Sequence, residues 1–142
     1  MGGNCINNTN EIILTYSTRR PQDGYPTPNE TSLYYTRPGR SNEKLDTDGI
    51  YIPIDRIVRQ RGLPDVKGPV AVKFASYQSF TVTQEGKYYV LDSMNWGVFK
   101  QNEYGCPSLW PLRVCWPIPS LTSIEIQKNY ESVCNACYPN CP

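Results

Sequence analysis

The chain has no histidine. That removes the Ser-His-Asp triad, the Cys-His dyad, the carboxylate–His–zinc site and the usual general base near neutral pH. Any zinc would have to be held by sulfur or carboxylate. An excess of either charge is missing too: 14 Lys and Arg face 13 Asp and Glu, a net charge of +1. No basic run tracks a phosphate backbone, so no nucleic-acid partner is expected. Arg19-Arg20, Arg37 with Arg40, and Arg56, Arg59 and Arg61 read as solvated surface. No apolar run approaches the ~18 residues of a spanning helix, and no signal-peptide-like stretch opens the chain, so no membrane is expected. Met1-Gly2-Gly3-Asn4-Cys5-Ile6 has the outline of an acylation motif, but Ile6 stands where Ser or Thr belongs. There is no Walker A run and no G-x-G-x-x-G, and Asp46-Thr47-Asp48-Gly49 lacks the spaced acidic ligands and the terminal Glu of an EF-hand. The expectation is a protein that is not an enzyme.

What is abundant is tyrosine, proline and glycine, at 11, 13 and 10 residues, against 2 Met and 3 Phe. Few segments carry the Ala, Leu, Glu and Lys of a helix. The fold expected is mainly β, a small irregular β domain with a Pro- and Cys-rich C-terminal module. Tyrosine at this density suits surfaces that touch other proteins, because the ring offers apolar area with a polar tip.

Three regions are expected. Residues 1–10 are polar and Asn-rich and read as an N-terminal arm. Residues 11–104 read as a β-rich domain, and residues 105–142 as the cysteine-rich module. Strand candidates are Glu11 to Tyr16, Ser32 to Thr36, and Pro69 to Phe74. Ile50 to Ile54 alternates but contains Pro53, which predicts an edge or a bulge. Ile54 to Gln60 is predicted as a short helix. Ser79 to Thr83 and Lys87 to Leu91 flank Glu85-Gly86 and predict a β-hairpin. Met94 to Phe99 is predicted to pack on that hairpin, and Leu121 to Tyr130 as a last strand or short helix. In Tyr34-Tyr35 and Tyr88-Tyr89 the two rings of each pair point to opposite strand faces. Asn7-Asn8-Thr9 and Asn29-Glu30-Thr31 fit the N-glycosylation acceptor pattern, which matters only for a chain that meets the transferase.

Five of the six cysteines fall in the last 37 residues, as Cys106-x8-Cys115-x18-Cys134-x2-Cys137-x3-Cys141. Four prolines lie between Pro107 and Pro119. Such a stretch runs as extended or turning loop without a regular ladder, and cysteines 106 and 115 are placed to anchor it. Three chemistries are open for the set. Four thiolates can hold an iron–sulfur cluster, and Cys134-x2-Cys137-x3-Cys141-Pro142 matches the closing part of a bacterial ferredoxin run whose first cysteine is absent. The cysteines can form disulfides instead, each typically contributing about 2–4 kcal/mol. Four thiolates can also hold structural zinc, although a second C-x2-C knuckle is missing. Trp110 and Trp116 read as shielding for whichever group forms.

The upstream pair followed by the triplet resembles the C-terminal domain of the minor tail protein L family, tail-tip proteins of lambda-like phages. The resemblance covers residues 105–142 only. It implies a [4Fe–4S] cluster on Cys106, Cys115, Cys134 and Cys141, with Cys137 as the alternative ligand. It implies a structural subunit of a tailed-phage virion, in the tail or baseplate region, whose partners are other virion proteins and copies of itself. The cluster would act structurally, tying two loops together. The alternative is a small disulfide-stapled extracellular or surface binding protein without metal.

Overall fold

A computed structural model describes residues 4–19, 30–41, 47–74, 79–92, 97–100 and 117–134. Eleven strands and one helix are formed among these residues. The strands are β1 (Asn4–Asn8), β2 (Ile13–Arg19), β3 (Glu30–Thr36), β4 (Arg40–Ser41), β5 (Thr47–Ile52), β6 (Ile57–Gln60), β7 (Val66–Lys67), β8 (Val70–Lys73), β9 (Ser79–Glu85), β10 (Tyr88–Leu91) and β11 (Gly97–Lys100). The helix, α1, spans Ser123–Cys134. A six-stranded sheet has the order β4-β1-β9-β10-β6-β7, and a five-stranded sheet the order β11-β8-β5-β2-β3. The mainly β class expected from composition is observed.

The two sheets face each other across one core. The period-two alternation of β2, β5 and β8 turns Ile13, Ile50, Ile52, Val70 and Val72 inward. Cys5, Val58, Phe80, Val82, Tyr89 and Leu91 meet them from the other sheet. Phe74 and Phe80 stack with ring centroids 3.7 Å apart, joining the end of β8 to β9. Full burial of one such side chain is worth about 1.5–3 kcal/mol. The alternate residues of the five-stranded sheet, Leu14, Tyr16, Tyr51 and Ala71, point to its outer face. There they form a second apolar cluster with Ile126 of α1.

Several expectations are corrected. Residues 4–8 are not an arm: β1 lies inside the six-stranded sheet, parallel to β9 and antiparallel to β4. Cys5 and Asn7 are fully buried, which an Asn-rich composition does not reveal. Ile57–Gln60 is a strand, not a helix, because β10 offers it a parallel ladder from Tyr88 to Leu91. β5 occupies the middle of its sheet, and Pro53 falls just after its last residue, where no ladder N–H is needed. Of the segment Met94 to Phe99, residues 94–96 lie outside the described ones, and residues 97–99 belong to β11, which pairs with β8. The hairpin itself forms as β9 and β10, with Gly86 in its turn at φ 60°. Tyr89 is buried while Tyr88 faces outward, as the alternation requires. Residues 117–134 are not set apart from the β domain: they pack on the outer face of its five-stranded sheet.

Candidate functional site

Of the five C-terminal cysteines, only Cys134 belongs to the described residues, as the last residue of α1. Cys106, Cys115, Cys137 and Cys141 lie outside them, with Trp110 and Trp116. Among the described residues no three His, Cys, Asp or Glu side chains gather in a way that could hold a metal ion. What the structure does show is the seat from which the cysteine module extends: the strap of residues 117–122, then α1.

Two tyrosines hold the strap. Tyr16 Oη donates to the Pro117 carbonyl at 2.6 Å. Tyr51 Oη donates to the Pro119 carbonyl at 2.5 Å and accepts the Leu121 N–H at 3.0 Å. The Ile54 N–H closes the strap by donating to the Leu121 carbonyl at 2.9 Å. Proline has no N–H, so a proline-rich segment cannot join a ladder as a full partner, and its carbonyls need donors from elsewhere. Tyr16 and Tyr51 are fully buried and rise from adjacent strands of one sheet face. Burial, and then the proximity of Tyr51, push the Tyr16 phenol far above its ordinary value, so it stays protonated and remains a donor.

At the start of α1 the chain is held three ways. Thr122 and Glu125 form a reciprocal cap: the Glu125 N–H donates to Thr122 Oγ1 at 3.1 Å, and the Thr122 N–H donates to Glu125 Oε1 at 3.0 Å. Leu121 and Ile126 flank this cap and share the outer cluster, as a hydrophobic staple does. Asp55 supplies the second hold, accepting the Ser123 N–H at 2.8 Å and its hydroxyl at 2.6 Å. A carboxylate there satisfies an orphan donor of the first turn and complements the helix dipole. The third hold is Gln127, whose side-chain amide bonds both the N–H and the carbonyl of Ile12, at 2.8 and 3.0 Å. Farther along, Tyr130 meets Tyr35 edge to face, with centroids 5.5 Å apart.

These contacts fold the segment back on itself. Tyr16 lies opposite Leu33, and Leu14 opposite Tyr35, so Tyr16 and Tyr35 are diagonal neighbours on one face. Such neighbours stand roughly 7–8 Å apart. Pro117 is fixed at the first and Tyr130 at the second. Both ends of the segment therefore sit over the same small area of sheet. Cys115 comes two residues before Pro117, and Cys134 about one helical turn, roughly 6 Å, beyond Tyr130.

Glu11 and Arg56 are committed to structure. Glu11 is nearly buried, and both its oxygens are occupied. Oε1 accepts from Arg56 Nη2 at 2.8 Å and Gln84 Nε2 at 2.7 Å, and Oε2 accepts from Tyr89 Oη at 2.8 Å. A carboxylate engaged in this way cross-links the turn before β2 to Arg56, just before β6, and to β9 and β10. Arg56, expected on the surface, is drawn inward by this bond and retains only 19% of its side-chain exposure. Just beside it, Gly68 packs against the Pro53 carbonyl so closely that an added Cβ would clash with it. Arg59 does lie at the surface, over the Tyr88 ring at 3.9 Å and paired with Asp65 at 3.0 Å. It borders a shallow hollow of about 550 Å³ shared with Arg61, Leu63 and Asp92.

Cys5 is removed from the thiol chemistry. It is free, fully buried in the sandwich core, and its thiol is pushed up to about 12 by burial and then by the Asp92 charge. Five cysteines are left, an odd number. A framework of three internal disulfides is therefore excluded, and four metal ligands or two bridges each leave one sulfur over. Sequence reasoning missed Tyr16, Tyr51, Asp55 and Gln127 as the residues that seat the module. Only the Thr122-x-x-Glu125 capping pattern was available as a signal for the helix. No family model, curated protein or solved structure matches the chain.

Proposed function

We propose that this chain is a structural subunit of a tailed-phage virion, in the tail or baseplate region, and not an enzyme. In this reading Cys106, Cys115, Cys134 and Cys141 ligate a [4Fe–4S] cluster, with Cys137 as the alternative ligand. The cluster acts structurally, and the sandwich carries the module toward neighbouring virion proteins and further copies of itself. The virion assignment is supported by the spacing of the five cysteines and by their likeness to the tail-tip family.

The ligand set is supported by one feature of the seat. Pro117 and Tyr130 are held at diagonal neighbours of one sheet face, Tyr16 and Tyr35. Two residues of chain reach at most ~7 Å, so a centre shared by Cys115 and Cys134 is compatible with these docked ends. A thiolate-bound group contributes folding energy because the unfolded chain has no preformed site. Here that energy would be added to a segment whose two flanks are already docked.

Anaerobic purification followed by assays of iron, zinc and acid-labile sulfide tests the reading. Iron and sulfide in equal amounts, near four per chain for a [4Fe–4S] group, are expected. A colourless protein without metal, with two disulfides by mass spectrometry, would overturn it in favour of the stapled extracellular or surface binding protein.

A further inference from the structure

Asn7 opens the acceptor triplet Asn7-Asn8-Thr9, and it is fully buried. Its side chain has no hydrogen-bonding capacity to spare. Nδ2 donates to the Thr36 carbonyl at 2.8 Å and to the Glu11 carbonyl at 2.9 Å. Oδ1 accepts the Thr9 N–H at 2.9 Å and the Thr9 hydroxyl at 2.6 Å. Thr9 Oγ1 in turn accepts the Glu11 N–H at 3.2 Å. The amide is the peg that fixes the turn from β1 into β2 and ties it to the end of β3.

N-linked transfer forms a bond from Asn7 Nδ2 to the anomeric carbon of a sugar. The leaving group is the diphosphate of the lipid-linked oligosaccharide donor, and one amide hydrogen departs as a proton. Both amide hydrogens are in use in the fold, so the modified nitrogen must give up one carbonyl. The sugar would also have to occupy space that β3 and the residue 9–11 turn already fill. A glycan is bulky and needs a solvated surface position. The hydroxyl the transferase needs at the third position of the triplet is likewise bound inside.

We infer that N-glycosylation of Asn7 and the native sandwich exclude one another, so that a natively folded copy of this chain carries no N-linked glycan at Asn7. The acceptor triplet is a built turn, not a modification site. This holds whichever chemistry the C-terminal cysteines adopt. A secretory route would present an open acceptor on the nascent chain, in competition with the closure of β1.

Cell-free translation of the full chain, fused to a cleavable signal sequence, in the presence of microsomes tests this. The Asn29→Gln variant leaves Asn7 as the single acceptor triplet. Glycosylated and bare chains separate on one gel, and limited proteolysis after gentle solubilisation reads their folding. The bare band is expected to yield a resistant fragment, and the shifted band to be degraded at least tenfold faster. Equal resistance of the two bands would overturn the inference. If no shifted band forms, the core-breaking variant Ile50→Asp is run beside it. A shift that appears only in that unfolded chain supports exclusion, and a missing shift in both refutes the competition.

Discussion

The side-chain amide of Gln127 pairs with the backbone of Ile12 as a neighbouring strand would, accepting its N–H at 2.8 Å and donating to its carbonyl at 3.0 Å. The two residues are 115 positions apart. Through this pair α1 is fastened to the residue that precedes β2, at the edge of the outer apolar cluster. Replacing Gln127 with Ala leaves a donor and an acceptor unmet beside the buried Ile12 side chain. A loss of about 1–3 kcal/mol is expected, read as the shift of the urea midpoint. A midpoint unchanged within error would mean that the pairing contributes nothing to docking.

Asp55 makes the docking of α1 sensitive to acid. Burial by itself would raise its carboxyl, but the bonds from Ser123 and the neighbouring Arg56 charge outweigh that and hold it below the ordinary carboxylate range. The folded value is thus lower than the unfolded one. The stabilisation it supplies is complete above the unfolded carboxylate range and is lost as pH falls through the depressed folded value. The protection of amides in residues 123–127, taken relative to the intrinsic exchange rate, should fall as pH drops below the ordinary carboxylate range of about 4, before the sandwich strands respond. In Asp55→Asn that selective response should vanish. A helix that keeps its protection until the whole sandwich unfolds in acid would contradict the role.

Tyr16→Phe and Tyr51→Phe each remove a hydroxyl while keeping the ring in place. The carbonyls of Pro117 and Pro119 then lose their donors, at about 1–2 kcal/mol each. Proteolysis should cut first between residues 117 and 122 in the double variant, with residues 47–74 still protected. Simultaneous loss of protection in both regions would show that strap and sandwich unfold as one unit.

Cys5 offers a test of the sulfur count. Cys5→Ser puts a hydroxyl among Phe80, Val82 and Leu91 and should cost about 1–3 kcal/mol. Cys5→Ala is the milder change, because no unpaired hydroxyl is introduced. Neither variant should alter the metal or disulfide content of the protein. A change in either quantity with Cys5→Ala would place Cys5 back in the reactive set.

Where strand formers alternate and a local turn joins them, the fold is legible. Ser79 to Leu91 reads as a hairpin because Gly86 supplies the turn and both strands lie within a dozen residues of it. Tyr34 and Tyr35 divide between the two faces by the period of two alone. Ile54 to Gln60 misleads, because short apolar runs satisfy helix and strand patterns equally, and the ladder with β10 decides between them. Asn4 to Asn8 misleads more, since a polar composition conceals a strand whose partner β9 lies about 75 residues away. The cysteine spacing was legible, but the seat was not, because tyrosine hydroxyls that serve proline carbonyls leave no local pattern.

Residue order alone thus determined the β class, the hairpin, and the grouping of five sulfurs near one end. These depend on alternation, turn chemistry and spacing, which act over a few residues. Tertiary structure alone decided that Cys5 is core, that Asn7 is a buried peg, and that Asp55, Tyr16 and Gln127 seat the final helix. Each of those outcomes depends on burial and on partners brought together from distant strands, and burial is a property of the packed chain rather than of any residue's neighbours in sequence.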